Sequence, residues 1–283
     1  FLSCATRAGI TCVPVPVACD PARGIGVYEF IDGRKLSASE IDTDCVDQAA
    51  EFIARLNHAA THAEAGNLPD ASEACFSIAA HFSMVDSRID RLDQISSDDS
   101  VDREAREFSA ALKVRWSRLK VLILKEAASA GIDPDAALSE RCLSPSDFGF
   151  HNALATRERG ICFIDFEYAG WDDPAKLVGD FFSHPAVPVG MEYRERFIEV
   201  VSAYAPRPSE IATRAKILFP VFQVKWCCII LNDFLRESAA RRRHRSAPCC
   251  AACRSPGGAA AACGWSRAAP WWRTAGSASP PPV

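Results

Sequence analysis

Apolar residues recur at three- and four-residue spacing along much of the chain, the pattern of helices with one buried face. Ile41, Ala49, Phe52, Ile53, Leu56 and Ala60 mark one such face, and Ser37 with Glu40 forms a capping box that predicts its start. Phe76–Leu92 reads as a second helix. Phe108, Leu112, Trp116, Leu119 and Ile123 share a face of a helix predicted over Arg103–Ala130; Gly131 caps it and Pro134 prevents its continuation. Met191–Tyr204 is helical on Tyr193, Phe197, Val200 and Tyr204, and Ser209–Leu235 reads as a long, mostly buried helical region bent at Pro220. Shorter runs carry the strand signal. Cys12–Cys19 alternates, but its prolines restrict it to an edge strand or extended segment. Asp20–Gly24 is a turn, and Ile25–Ile31 is a strand ended by Asp32-Gly33. Two apolar segments, Asn152–Ala155 and Ile161–Phe166, flank Thr156–Gly160 and predict a hairpin. The chain is therefore α+β, with no internal repeat.

Composition narrows the function. The 283 residues are 48% apolar and 24% charged, with a formal net charge of −4, which suits a sizeable core and no basic nucleic-acid surface. The uninterrupted apolar runs fall short of the ~18 residues needed to cross a bilayer, so no membrane partner is expected. Thirteen cysteines, with no basic leader before them, read as reduced thiols of a cytoplasmic protein. From Arg241 onward the character changes: there is no Ile, Leu, Phe, Met, Tyr, Lys, Asp or Glu, and the seven arginines leave the preceding residues at −11 (25 basic against 36 acidic). Residues 241–283 are expected to be a disordered low-complexity tail, with the composition of a GC-rich gene read out of frame. Cys250-Ala-Ala-Cys253 lacks the second half-motif that a zinc site needs.

The chemistry concentrates between Cys142 and Phe182. Asp147 and Asn152 lie just before the first hairpin strand and Asp165 at the end of the second, so folding the hairpin should bring the three together. Carboxylate and carboxamide oxygens suit Mg²⁺ held together with phosphate oxygens, and a remaining carboxylate can take a proton from an attacking hydroxyl. Asp-x-x-x-x-Asn followed by a strand-end Asp is the arrangement of phosphoryl-transfer enzymes of the kinase type.

On these residues the segment resembles the aminoglycoside phosphotransferase/choline kinase-like family, a branch of the protein-kinase-like fold. The family's catalytic loop reads His-Gly-Asp-x-x-x-x-Asn; here Pro145-Ser146 replaces its start while the Asp147–Asn152 spacing is kept. Ile164-Asp165-Phe166-Glu167, Ala169-Gly170 and Asp173-Pro174 match the pieces that follow, and the resemblance implies that Asp180-Phe181-Phe182 fills the place of a later Asp-Leu-Ala, displaced by about one turn. The resemblance implies a remnant of the β N-lobe and hinge over residues 1–33, and a mainly α-helical C-lobe with a catalytic β-hairpin over residues 34–240. It implies that the backbone of Glu29, Phe30 and Ile31 holds adenine, that Asp147 is catalytic, and that Asn152 and Asp165 bind Mg²⁺ on ATP. The family's Gly-rich phosphate loop and strand lysine would fall before residue 1, since Gly24-Ile25-Gly26 directly precedes the hinge and no lysine precedes Lys35. The chain is accordingly expected to be an N-terminally truncated, poorly active piece of a small-molecule kinase acting on a hydroxyl of an aminoglycoside, sugar or amino alcohol. The alternative is a non-catalytic kinase-like binding protein or a gene remnant.

Neighbouring residues receive structural roles. His151 reads as a loop-packing residue, Asp172 and Asp173 as caps of the next helix, and Asp180 as an acceptor of backbone N–H groups from the catalytic loop. Glu167 either approaches the substrate or metal or stands solvated at the strand end. Trp116 and Trp226 read as core. The acids Asp86, Asp90, Asp93, Asp98, Asp99 and Asp102 read as solvated surface.

Overall fold

The computed structural model describes residues 1–235 apart from residues 21, 59–60, 63–64 and 98; the expected tail over 241–283, like Ala60, lies outside the described residues. Helices α1 (Leu2–Arg7), α2 (Thr43–Leu56), α3 (Ile78–Arg91), α4 (Ser100–Ser129), α5 (Pro174–Ser183), α6 (Arg194–Ser202) and α7 (Pro208–Leu231) alternate with short strands. Strand β1 (Pro16–Asp20) pairs antiparallel with β2 (Ile25–Tyr28). Strands β3 (Arg34–Lys35), β5 (Ala153–Ala155) and β6 (Ile161–Phe163) form one antiparallel sheet in the order β3-β5-β6, and β4 (Cys142–Ser144) pairs with β7 (Gly170–Asp172).

The residues form two compact units. One holds Phe1–Phe82 and Lys120–Gln223; the other holds Ser83–Leu119 and the described residues from Val224 on. In the first, Phe52 of α2 is the platform: its ring lies 4.9 Å from Phe163 of β6, 5.8 Å from Phe148 and 6.3 Å from Phe166. Phe181 of α5 extends the cluster, 5.2 Å from Phe148 and 4.5 Å from Phe197 of α6. In the second, Trp116 is buried and its indole N–H donates to Asp86 Oδ1 at 2.6 Å. Asp102, also buried, accepts from Ser96 Oγ at 2.7 Å, so two of the acids expected on the surface serve packing. Trp226 is only half-buried.

Local chemistry explains where elements stop. The capping box forms, with the Ser37 N–H and hydroxyl both donating to Glu40, but it opens only a 3₁₀ turn over Ala38–Glu40. Ile41 then turns extended (ψ 111°), and α2 is capped separately by Asp42, whose Oδ1 accepts from the Cys45 N–H at 3.0 Å. Strand β2 ends at Tyr28 rather than Ile31; just beyond it Arg159 donates to both carboxylate oxygens of Glu29, at 2.8 and 3.2 Å. The β1–β2 ribbon leaves Val17, Ile25, Val27 and Tyr28 exposed. Gly131 (φ 70°) ends α4 as predicted, with the Ile132 N–H returning to the Ala127 carbonyl. Pro208–Phe234 is long and apolar enough to cross a membrane, contrary to the expectation from uninterrupted runs, yet 67% of its apolar window is buried inside the protein.

One side chain ties α2 to the strand that leads into the candidate site. Buried Asn57, just past α2, accepts the Leu143 N–H at 2.7 Å and donates to the Leu143 carbonyl at 3.0 Å, replacing a strand neighbour for β4. Asn57→Ala should cost about 2–4 kcal/mol, because it strands both backbone groups away from water. Urea unfolding of the two proteins measures the loss.

Candidate active site

Two backbone turns present the key acids. Leaving β4, Ser146 adopts φ 68°, a left-handed conformation uncommon outside glycine, and its N–H donates to Ser144 Oγ at 2.9 Å. Asp147 follows, and the chain makes a 3₁₀ turn over Phe150–Asn152 before entering β5. After β6, Asp165 also adopts a left-handed φ of 69°. The residues next to the two acids, Phe148 and Phe166, pack on the same Phe52 ring, and the Ile164 N–H donates to the Asn152 carbonyl at 2.9 Å. The predicted hairpin thus forms and gathers the loops at its open end.

Asp147 and Asn152 meet directly. Asn152 Nδ2 donates to the Asp147 carbonyl at 3.1 Å and to its Oδ2 at 3.2 Å. Asp165 is exposed, and the residue before it, Ile164, donates its N–H to the Asn152 carbonyl. The hydroxyl of Tyr168 feels both acids: its pKa is raised first by its hydrogen bond with Glu167, then by burial and the charges of Asp165 and Asp147. Glu167 therefore stands at this cluster's edge, exposed.

His151 departs from the packing role expected of it. Its Nε2 lies 3.1 Å from Asp147 Oδ1, and its ring stacks on His184 at 3.5 Å with planes 1° apart. His184 Nδ1 accepts the Ala186 N–H at 3.2 Å, which leaves its Nε2 to carry the proton, 4.0 Å from the same Asp147 oxygen. The His151 hydrogen bond is the main reason the Asp147 carboxyl sits below its ordinary pKa, with burial opposing it. Donor atoms of Asp147, His151 and His184 lie within 4.8 Å of one another. His184 carried no signal in the sequence.

Behind the loop lies a buried polar layer. Asp173 caps α5, accepting the Ala175 N–H at 2.8 Å, as predicted. Its other oxygen receives Arg214 Nε and Nη2 at 2.9 and 2.7 Å and His81 Nε2 at 3.0 Å, all from buried side chains. Asp172 does not cap the helix: Oδ1 accepts the Asp173 N–H, and Oδ2 lies 2.7 Å from the Lys176 ammonium. The Asp180 carboxylate is 3.7 Å from the same ammonium. The Glu29 N–H is committed to the Val15 carbonyl at 2.9 Å, Phe30 is 87% exposed, and Ile31 is buried.

A catalytic-type loop and hairpin feeding into a helical body define a protein-kinase-like fold of mixed α and β structure. The chain belongs to the APH phosphotransferase enzyme family, which matches residues 1–210. Among solved structures, a choline kinase from Cryptosporidium parvum Iowa II shares the fold with a TM-score of 0.51 at 16% identity, covering 86% of this chain and 74% of its own. The AMP-bound spectinomycin phosphotransferase APH(9)-Ia matches with a TM-score of 0.52 at 16% identity, covering 87% of this chain and 79% of its own. No curated protein matches the chain in sequence.

The His81–Asp173–Arg214 cluster makes stability depend on pH. Burial pulls the His81 pKa down, but hydrogen bonds and charge from Asp173, with a further contribution from Cys75, more than offset it and hold it at about 9. The folded state therefore keeps a proton that the unfolded chain releases near pH 6.5. This contribution, on the order of 3 kcal/mol, is full below that pH and lost as pH rises through about 9. Thermal unfolding of the wild type should fall steeply from pH 6.5 to 9.5. His81→Gln should start lower and decline less over the same window.

Proposed function

We propose that the protein is a small-molecule kinase that uses ATP and Mg²⁺ to phosphorylate a hydroxyl group. The observation that carries this reading is the Asp147–Asn152 pair, bonded at 3.1 and 3.2 Å, with Asp165 on the next turn of backbone. It is supported by membership of a phosphotransferase family and by the fold shared with a choline kinase and a spectinomycin phosphotransferase.

Each residue has a role in that reading. Asp147 orients the acceptor hydroxyl and takes its proton as the oxygen forms its bond to the γ-phosphorus and the bond to ADP breaks. Its carboxylate is 40% exposed, so a substrate can reach it. Asn152 spends its amide nitrogen on Asp147, which leaves the amide oxygen for a cation. That oxygen and the exposed Asp165 carboxylate are hard donors of the kind Mg²⁺ takes, and they would hold it; bound there, Mg²⁺ neutralises charge on the phosphates. Adenine is assigned to the backbone of Glu29, Phe30 and Ile31, the Glu29 N–H excepted. The acceptor belongs to the class of aminoglycosides, sugars and amino alcohols.

The test is ADP release by the full chain with Mg²⁺ and ATP over a panel of such acceptors. Acceptor-dependent, Mg²⁺-dependent release is expected, with turnover down about 10²-fold or more in Asp147→Asn and nucleotide affinity retained. Nucleotide binding without turnover for any acceptor would mark a non-catalytic binding protein instead.

A further inference from the structure

Lys176 has no part in the chemistry just described, yet it is 1% exposed and lies behind the catalytic loop. A buried ammonium is costly unless paired and hydrogen-bonded. Burial pulls the Lys176 pKa down, but the Asp172 and Asp180 carboxylates raise it overall, so the side chain is charged. Beyond Asp172 at 2.7 Å it donates to the hydroxyl of Ser146 at 3.3 Å. Lysine can only donate, so this contact orients the Ser146 hydroxyl proton elsewhere, onto the Ser72 carbonyl at 3.1 Å.

Ser146 is the left-handed residue immediately before Asp147. A non-glycine residue in that conformation is disfavoured and persists only where its surroundings hold it. Here three contacts hold it: its N–H on Ser144, and its hydroxyl between Lys176 and Ser72. Ser72 is itself anchored, its N–H donating to the Tyr168 carbonyl at 3.0 Å in the loop after Asp165. The Lys176 ammonium is therefore the charged centre of a network that joins α5, the turn before Asp147 and the segment beside Asp165.

We propose that Lys176 is a positioning residue for phosphotransfer: through the Ser146 hydroxyl it locks the left-handed turn that aims the Asp147 carboxylate. This rests on the reading of Asp147 as the group that orients the acceptor hydroxyl. Asp172, Lys176 and Asp180 stand at four-residue spacing, so the ammonium is paired with the carboxylates on either side of it, and it also reaches the uncharged side chain that sets the turn.

Two variants test the proposal in the full chain. Lys176→Met removes the charge; Ser146→Ala removes only the hydroxyl and leaves the Lys176–Asp172 pair intact. For each, thermal unfolding reports folding, ring-nitrogen chemical shifts of His151, assigned with His151→Gln, report its bond to Asp147, and kinetics report turnover. Both folded variants should lose the bonded His151 signature. Their kcat should drop about tenfold or more, with the KM for ATP within about twofold of the wild type. A folded Lys176→Met with native His151 shifts and near-native kcat overturns the proposal; if that variant does not fold, Ser146→Ala decides by the same two readouts. A wild type that turns over no acceptor defeats the kinase reading alone, and the His151 shifts then settle the positioning role.

Discussion

Two consecutive carboxylates, both fully buried, hold the site together. Asp172 and Asp173 end β7 and start α5, and each faces its own cation. Asp173 binds Arg214 and His81 and caps the helix; Asp172 binds Lys176 one turn along the same helix. Removing either acid would leave a buried cation uncompensated, a far larger loss than an exposed ion pair carries. Strand β7, which ends at Asp172, pairs with β4, so the polar layer is one hydrogen-bonded strand away from the turn before Asp147. Charge pairing that looks like scaffold is thereby also the back wall of the loop that carries Asp147.

The front of the site depends on an apolar contact. Asp147 and Asp165 are polar and partly or wholly exposed, so neither can pull its own loop into place. Their neighbours do that: Phe148 and Phe166 seat on Phe52, and the β5–β6 hairpin closes between them. The two acids are positioned by rings one residue away, while the directional bonds from Asn152 and His151 set the final orientation of Asp147.

The hairpin, the main helices and the Asp147–Asn152 bond were legible because they are local: turn residues, helical periodicity and a five-residue spacing encode them. The hairpin that sets Asp165 at the end of its second strand was legible for the same reason, since its two strands are neighbours in sequence. Contacts across long stretches of chain left no such trace. Nothing in the residues around Asn57 announces Leu143, and nothing near His184 announces His151 and Asp147. Lys176 left a trace only in its four-residue spacing from Asp172 and Asp180. The capping box misled on extent: the sequence specified the bonds of Ser37 and Glu40 correctly, but one extended residue at Ile41 separated them from α2. The helix over Ser209–Leu235 was legible, but hydropathy read by uninterrupted runs did not register its average apolarity, because lysines interrupt it.

The left-handed turns at Ser146 and Asp165 also bear on how this sequence can drift. At such positions the backbone admits glycine readily and asparagine or aspartate at modest cost, and it penalises β-branched residues most. Among residues with a side chain, asparagine and aspartate are therefore the ones Asp165 can exchange between without straining its turn. A mutation there toward valine or threonine would be filtered out by backbone geometry before its effect on chemistry was ever tried. Part of the chemical alphabet at this site is thus set by φ, independently of any selection for catalysis.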